Sequence, residues 1–211
     1  LDYKLTRSQQ EVEISDPLNS KQESVQRFPV PPQERTRLAI GVGFYSLPCV
    51  LLRSYIQQWS FFNISPLVAR APFKEAAEVN LGPAGEYLSV VLHKIEKENG
   101  KGSLDSIIAG LKGAIPGFKG VKTTQLPVEN KWAFQTLEDR IKGAINPESV
   151  SDGTIRLLAL MVIAVWSSRH SSLLAIEEPE NGIHPHLSEH IVSVLRDASK
   201  RRQLLVTTHN P

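Results

Sequence analysis

Two carboxylates stand side by side at the end of an apolar run in "LLAIEEPENGIHPH", residues 173–186. They are Glu177 and Glu178, and a second apolar run, "QLLVTTH", ends in His209. Carboxylate oxygens bind hard cations such as Mg²⁺, and an ionised carboxylate can accept a proton from an attacking water. A neighbouring histidine could hydrogen-bond a developing phosphate oxygen or the nucleophile. This combination is suited to phosphoryl transfer to water.

The elements around these residues alternate between helix and strand. "SDG" opens an apolar helix, "SLLAIEE" and "QLLVTTH" have the composition of buried strands, and "HPHLSEHIVSVLRDAS" between them is an amphipathic helix. Strands of this kind predict a parallel sheet that is covered on both faces. The carboxyl ends of its strands share one edge, where ligands of open α/β sheets bind. We therefore expect Glu177, Glu178 and His209 to converge, with the two glutamates pointing to opposite sides of an extended strand.

A second candidate site lies at "VSDGTIRLLAL". Ser151 is a good N-cap, Gly153 allows a close approach of the backbone, and the free amides at a helix start bind anions. A phosphate could be bound there. The same tripeptide also opens many ordinary helices, so the pattern alone is weakly specific.

The remaining chain predicts a smaller antiparallel and helical portion at the N-terminal side. "DYKL" and "EVEIS" favour antiparallel strands, helices are expected at residues 86–98 and from Ser103, and residues 121–141 favour β-structure. The predicted organisation is a lead-in at 1–60, an insertion at 61–145 and a core at 146–211. The aromatic residues Trp59, Phe61 and Phe62 are predicted to lie in the core rather than to stack on bases.

Composition excludes several classes of protein. The 211 residues are 41% hydrophobic and 22% charged with a net charge of +2, which is typical of a globular chain without a general basic field for nucleic acid. A single cysteine, Cys49, cannot form an intrachain disulfide, and a cytoplasmic location is predicted. The longest apolar run, Ile155 to Trp166, is shorter than the roughly 20 residues of a membrane helix, so no membrane partner is expected.

Three motifs in this order and spacing resemble those of a known family. "SDGTIRLLAL" is similar to the signature motif of ABC-class ATPases, "LLAIEEPENGIHP" to their Walker B motif and D-loop, and "LLVTTHNP" to their switch-histidine motif. The resemblance is to the RecF, SMC and OLD-like predicted ATPases of the AAA group, and it extends more weakly back to about residue 55. It implies a P-loop NTPase-like fold in which a parallel sheet is flanked by helices.

The resemblance also implies functional roles. Glu177 would organise Mg²⁺, Glu178 would be the base that activates water, and His209 would lie at the γ-phosphate of ATP. ATP would be held between two heads of a homodimer. Such a homodimer would act in DNA repair or maintenance or, with a nuclease partner, in phage defence. The nucleotide and interface residues would be Ser151, Asp152 and Gly153 of the signature motif and Glu180, Asn181 and Gly182 of the D-loop.

The chain departs from the family pattern at two points. Glu177 replaces the more common aspartate, which changes the reach of the carboxylate, and no G-x-x-x-x-G-K-[ST] sequence occurs among the 211 residues. We expect that phosphate-binding loop to lie upstream of Leu1 in a longer parent protein. The parent is then predicted to be an ATPase and this chain alone to be inactive.

Other interpretations remain open. The chain could be a non-hydrolysing nucleotide-binding or scaffolding module, or a metal-dependent nuclease that uses Glu177, Glu180 and His184. His184 and His186 flank Pro185, which favours a helix start capped by His184 over a metal site. The basic residues 199–203 are expected to complement a helix dipole rather than to contact DNA.

Overall fold

The computed structural model describes residues 4–7, 11–15, 26–29, 47–76, 79–98, 101–167 and 171–209. The chain divides into two compact units, Leu1–Gln58 and Trp59–Pro211. The sequence predicts a helix in residues 35–59 that is interrupted at Gly41, Gly43 and Pro48. Gly41 and Gly43 lie outside the described residues, as do residues 168–170 and 210–211, whereas Pro48 is the second residue of a helix that begins at Leu47.

The first unit contains a three-stranded antiparallel sheet in the order β1 (Lys4–Arg7), β2 (Glu11–Ser15), β3 (Gln26–Pro29). Lys4 of the first strand pairs with Ser15, and Glu11 of the second pairs with Pro29. The predicted antiparallel strands near the N-terminus are therefore confirmed. The other described element of this unit is helix α1 (Leu47–Gln57).

The second unit is built from a parallel sheet, an antiparallel sheet and helices. The helices and strands that the structure describes in it are, in chain order, β4 (Trp59–Phe62), α2 (Pro66–Ala69), α3 (Leu88–Lys97), α4 (Lys101–Ala114), β5 (Phe118–Leu126), β6 (Lys131–Glu138), β7 (Ala144–Ile145), α5 (Asp152–Val165), β8 (Leu173–Glu177), α6 (Ser188–Ser199) and β9 (Gln203–Thr207). Two 3₁₀ turns, Pro147–Ser149 and Pro185–Leu187, precede α5 and α6. The predicted mixed α/β fold is confirmed.

The parallel sheet has β8 in its centre, with β4 on one side and β9 on the other. Leu173 is in register with Trp59 and with Gln203, so the three strands begin at one level and their carboxyl ends meet at one edge. The convergence of β8 and β9 was predicted. Strand β4 was not predicted, because it is only four residues long and the proline-rich segment after it does not favour a strand.

The two faces of this sheet differ in burial. Phe62 and Ile176 point into the core and are 5% and 2% exposed. The opposite face carries Trp59, Phe61 and Leu205, whose exposed fractions are 37%, 56% and 57%. The prediction that both faces are covered therefore holds for one face only among the described residues. The prediction that all three aromatic residues lie in the core is correct for Phe62 and wrong for Trp59 and Phe61.

Helix α5 is the centre of the core. Ile155 and every residue from Leu157 to Ile163 are buried, because this helix packs against α2, α4 and α6 on different sides. A helix that is apolar around its circumference is stable only when it is enclosed in this way. The start of α5, which carries the second candidate site, is thus attached to a rigid support.

The antiparallel sheet β5–β6–β7 packs against α3, and β5 also packs against α4. Helices α3 and α4 agree with the two that were predicted, although α4 begins at Lys101 rather than Ser103. None of the described helices is both long enough and apolar enough to cross a membrane.

A buried histidine joins α3 to this antiparallel sheet. His93 is 7% exposed and stacks on Trp132 at a centroid distance of 3.3 Å. The Thr123 hydroxyl donates to Glu96, so its oxygen can only accept a hydrogen from His93 Nδ1, 3.0 Å away. Nε2 is buried without a hydrogen-bond partner among the described residues. Burial, together with the nearby charge of Lys97, lowers the pKa of His93.

Candidate functional site

The carboxyl ends of the three parallel strands place polar residues side by side. Asn63 follows β4, Glu177 ends β8, and Thr207 ends β9 in register with Glu177. Glu178 and His209 lie just beyond their strands. The predicted meeting of Glu177, Glu178 and His209 at one edge of the sheet is therefore observed, with Asn63 as an additional member.

Glu177 is exposed and faces the end of β4. Asn63 Nδ2 donates to Glu177 Oε2 at 2.9 Å. The amide orients the carboxylate and keeps its own carbonyl oxygen available as a further oxygen ligand. No motif in the sequence pointed to Asn63, and its place directly after a short apolar strand was the only available signal.

Glu178 leaves the extended conformation that was expected for it. Its φ is +42°, a left-handed conformation that favours glycine. The Glu178 N–H still donates to Thr207 O at 3.0 Å, but the Glu178 carbonyl accepts from the N–H of Asn181 at 3.0 Å and closes a turn. The expectation that both glutamates extend along one strand is therefore wrong, because the turn begins at the second of them.

The Glu178 side chain faces β9. His209 Nε2 lies 2.8 Å from Glu178 Oε1, and Asn181 Nδ2 approaches Oε2 at 3.4 Å. The Glu178 side chain is 32% exposed and that of His209 is 88% exposed, so solvent reaches the pair. Glu177 and Glu178 thus have different partners, an amide for the first and an imidazole for the second.

Glu180 binds residues of its own chain. Its Oε1 accepts from the Thr208 hydroxyl at 2.5 Å and from the His209 N–H at 3.2 Å. This carboxylate therefore fixes the backbone that carries His209. The contact joins the turn after β8 to the segment after β9, and it could not be read from residue spacing.

The start of α5 forms the second group of candidate residues. Ser151 is the N-cap, and its hydroxyl oxygen accepts from the Thr154 N–H at 3.2 Å. The N–H groups of Asp152 and Gly153 precede the first intrahelical acceptors and can therefore bind an anion. The Asp152 carboxylate is paired with Arg70, so only its backbone is directed to that role.

Gly153 lies against the loop that follows β8. A Cβ on Gly153 would lie 3.0 Å from the carbonyl oxygen of Gly182, which is tighter than ordinary contact. Gly182 itself has a φ of +69°. The two glycines let the start of α5 and the loop pack closely. This contact connects the candidate residues at the start of α5 to the turn at Glu178.

His184 and His186 bind each other rather than the acidic residues. His184 caps the turn Pro185–Leu187, and the two Nδ1 atoms lie 2.6 Å apart, with one donating to the other. The helix-start interpretation of His184 is confirmed. The described residues contain no group of three or more histidine, cysteine or acidic side chains that could hold a metal ion.

A cavity of about 410 Å³ opens beside the start of α5. It is lined by Ser151, Gly153 and Thr154 on one side and by Gly182, His184 and His186 on the other. The polar part of its lining, which consists of helix-start amides with hydroxyl and imidazole groups, can contact an anion. The Asp152 carboxylate and apolar residues complete the lining.

The Glu177 carboxylate beside Asn63 is suitable for binding a magnesium ion that keeps water and phosphate ligands. Mg²⁺ in nucleotide sites takes one or two protein carboxylates and fills its other positions with water and phosphate oxygens. The exposed Glu177 carboxylate, which the Asn63 amide orients, can serve as such a ligand.

The chain is similar to known proteins at two levels. Residues 8–211 match the model of a family described as "AAA domain, putative AbiEii toxin, Type IV TA system". No curated protein matches the chain significantly.

Two solved structures are similar at low identity. One is described as "Crystal structure of the SmcHead bound to the C-winged helix domain of ScpA", with 12% identity, a TM-score of 0.46 and coverage of 95% of this chain and 66% of that one. The other is an Smc head domain with a coiled coil and joint derived from Pyrococcus yayanosii, with 16% identity, a TM-score of 0.41 and coverage of 55% and 24%. The chain thus spans less than two thirds of the length of each of these structures.

Proposed function

This chain belongs to the AAA domain family that its residues 8–211 match, and we propose that it supplies the catalytic carboxylates of an ATP-hydrolysing head. Membership indicates an ATPase-type, nucleotide-binding domain. Hydrolysis, the role of each residue and dimerisation are the proposal. The observation that carries it is the 2.8 Å contact between Glu178 and His209 at the shared edge of β8 and β9.

Glu178 acts as the general base. The His209 imidazole lies 2.8 Å from Oε1, whereas Oε2 has only the longer 3.4 Å contact with Asn181 Nδ2, so Oε2 is the oxygen that we assign to accept a proton from water. The water oxygen then forms a bond to the γ-phosphorus while the bond to the β-phosphate oxygen breaks, which yields ADP and phosphate. His209 next to the reacting water stabilises the charge that develops on the phosphoryl oxygens.

Glu177 and Asn63 hold the cation that accompanies the nucleotide. ATP supplies the reacting phosphoryl group, and a bound Mg²⁺ would neutralise negative charge on the phosphate oxygens. The Asn63 amide keeps the Glu177 carboxylate in one orientation, which reduces the ordering that binding requires. The different partners of the two glutamates support a division between cation binding at Glu177 and proton transfer at Glu178.

The start of α5 binds the γ-phosphate of ATP held by a second copy. Its amides at Asp152 and Gly153 and the hydroxyl of Ser151 border a cavity whose lining does not include Glu177 or Glu178. Two separate half-sites on one chain are what an ATP-sandwiched homodimer requires. Glu180, Asn181 and Gly182 connect the half-sites.

ATP turnover of the full-length protein tests the catalytic role. The variant Glu178→Gln is expected to hydrolyse ATP at least ~100-fold more slowly and still to associate in the presence of ATP. Glu189→Gln, which alters an exposed carboxylate at the start of α6, is the matched control and is expected to behave like the wild type. Equal turnover in the wild type and Glu178→Gln would refute the assignment.

A non-hydrolysing module is the second candidate, and one observation favours it. The 211 residues contain no G-x-x-x-x-G-K-[ST] sequence. If the gene encodes no such loop before this segment, the catalytic proposal fails and nucleotide binding without turnover, or scaffolding, replaces it. The two candidates are therefore separated by the sequence of the whole gene.

The biological role that we propose is DNA maintenance or phage defence with a DNA or nuclease partner. The family description names a toxin of a toxin–antitoxin system, which supports a defence role. Plaque formation on cells that express the full-length protein or its Glu178→Gln variant tests this role. Equal plaque numbers in both strains and in a strain without the gene would contradict phage defence.

A further inference from the structure

Arg70 joins the segment after β4 to the start of α5. It is the C-cap of α2, and its Nη2 donates to Asp152 Oδ1 at 2.5 Å and to Val150 O at 3.3 Å. Its side chain is 20% exposed, whereas that of Asp152 is 69% exposed. The guanidinium is therefore the more fixed partner and determines where the Asp152 carboxylate lies.

Asp152 creates an electrostatic problem at the proposed phosphate site. The first turn of a helix stabilises one nearby negative charge, and the Asp152 carboxylate already provides it. A phosphate that approaches the amides of Asp152 and Gly153 would be repelled by that carboxylate at short range. The repulsion is removed only if a cation neutralises Asp152, and Arg70 is the cation in contact with it.

We infer that Arg70 is a positioning residue that neutralises Asp152 and so permits the start of α5 to accept a phosphate group. This inference rests on the proposed function of that helix start. It also explains why an acidic residue is tolerated between Ser151 and Gly153. Arg70 acts through Asp152 and does not itself contact the nucleotide.

The test uses the full-length protein with the Glu178→Gln change, in which ATP is bound and not consumed. The measured quantity is the ATP concentration that gives half-maximal association, determined by light scattering. Arg70→Ala is expected to raise it about tenfold, because an unpaired carboxylate is left beside the phosphate. Arg70→Lys, which keeps the charge but not the forked geometry, is expected to raise it about threefold.

The double variant Arg70→Ala with Asp152→Asn separates charge neutralisation from a structural role. Without the carboxylate there is nothing to neutralise, so the double variant is expected to return to within about twofold of the parent. Lys119→Ala, which breaks the surface ion pair with Asp139, is the control and is expected to have no effect. Melting temperatures of all variants report whether the start of α5 remains folded.

Three outcomes would overturn the inference. A double variant as weak as Arg70→Ala would mean that Arg70 only holds the chain in place. An association unaffected by Arg70→Ala would contradict the role of Arg70 and leave the proposed function intact. A Glu178→Gln protein that does not associate with ATP at all would contradict the proposed function itself, and the inference with it.

Discussion

His209 Nε2 lies 2.8 Å from Glu178 Oε1, just beyond the ends of two paired parallel strands. Glu178 is the first residue after β8 and His209 the second residue after β9, so the sheet determines their separation. A histidine at this edge of the sheet can hydrogen-bond a carboxylate and then a transferring phosphoryl group.

Removal of the imidazole should slow the chemical step. We expect His209→Ala in the full-length protein to lower kcat for ATP by about 100-fold with little change in KM, since the lost interaction is made in the transition state. Steady-state turnover measures both constants. A rise in KM at unchanged kcat would instead assign His209 to ground-state binding. His190→Ala provides a control at a histidine on the adjacent helix α6.

Glu180 is expected to act through the backbone of His209. Glu180→Ala removes the acceptor for the Thr208 hydroxyl and the His209 N–H, so kcat should fall about tenfold. Glu180→Gln retains an acceptor oxygen and should stay within about twofold of the wild type. If the Gln variant is as slow as the Ala variant, the charge of Glu180 matters more than its hydrogen bonds.

Asn63 should control the affinity of the acidic group for its cation. We expect Asn63→Ala to raise the Mg²⁺ concentration for half-maximal ATP hydrolysis about fivefold, because the Glu177 carboxylate loses its orienting donor. Asn63→Asp should lower that concentration, since two carboxylates favour a bound cation. Shifts of both variants in the same direction would exclude a role of Asn63 in cation binding.

His93 makes stability dependent on pH. Its pKa in the folded protein is lowered, chiefly by burial, so in mildly acidic solution the unfolded chain binds a proton that the folded chain does not. Its contribution to stability is therefore complete above about pH 6.5 and is lost as the pH falls toward the lower pKa of the folded state.

The melting temperature checks this dependence. It should fall more steeply between pH 7.5 and pH 5.5 in the wild-type protein than in His93→Phe, which retains an aromatic ring against Trp132. Parallel curves for the two proteins would show that another group dominates. His184→Phe, at an exposed histidine, controls for the change in composition.

The sequence predicted the elements that have strong periodicity. Helices α3 to α6 and strands β8 and β9 were expected, and the resemblance to AAA-group ATPases is confirmed by the family match. The meeting of Glu177, Glu178 and His209 followed from the rule that parallel strands share a carboxyl edge. These predictions succeeded because they depend on local pattern and on chain topology alone.

The predictions that failed depend on tertiary contacts. Strand β4 owes its conformation to pairing with β8, so its four residues carry too little pattern, and Asn63 was missed with it. The exposure of Phe61 depends on whether other parts of the chain cover the second face of the sheet. The contacts Glu180 to Thr208 and Arg70 to Asp152 join residues distant in sequence, and no spacing rule predicts them.

The backbone conformation at Glu178 lowers the stability of the fold, whereas its side chain is the one that we propose for catalysis. A glutamate at a φ of +42° costs on the order of 1 kcal/mol that glycine or asparagine would not. A library selected only for resistance to heat should therefore enrich Glu178→Gly and Glu178→Asn. The most heat-resistant clones would then lack the carboxylate that we propose as the base. Position 178 would be recognisable because stability and activity favour different residues there.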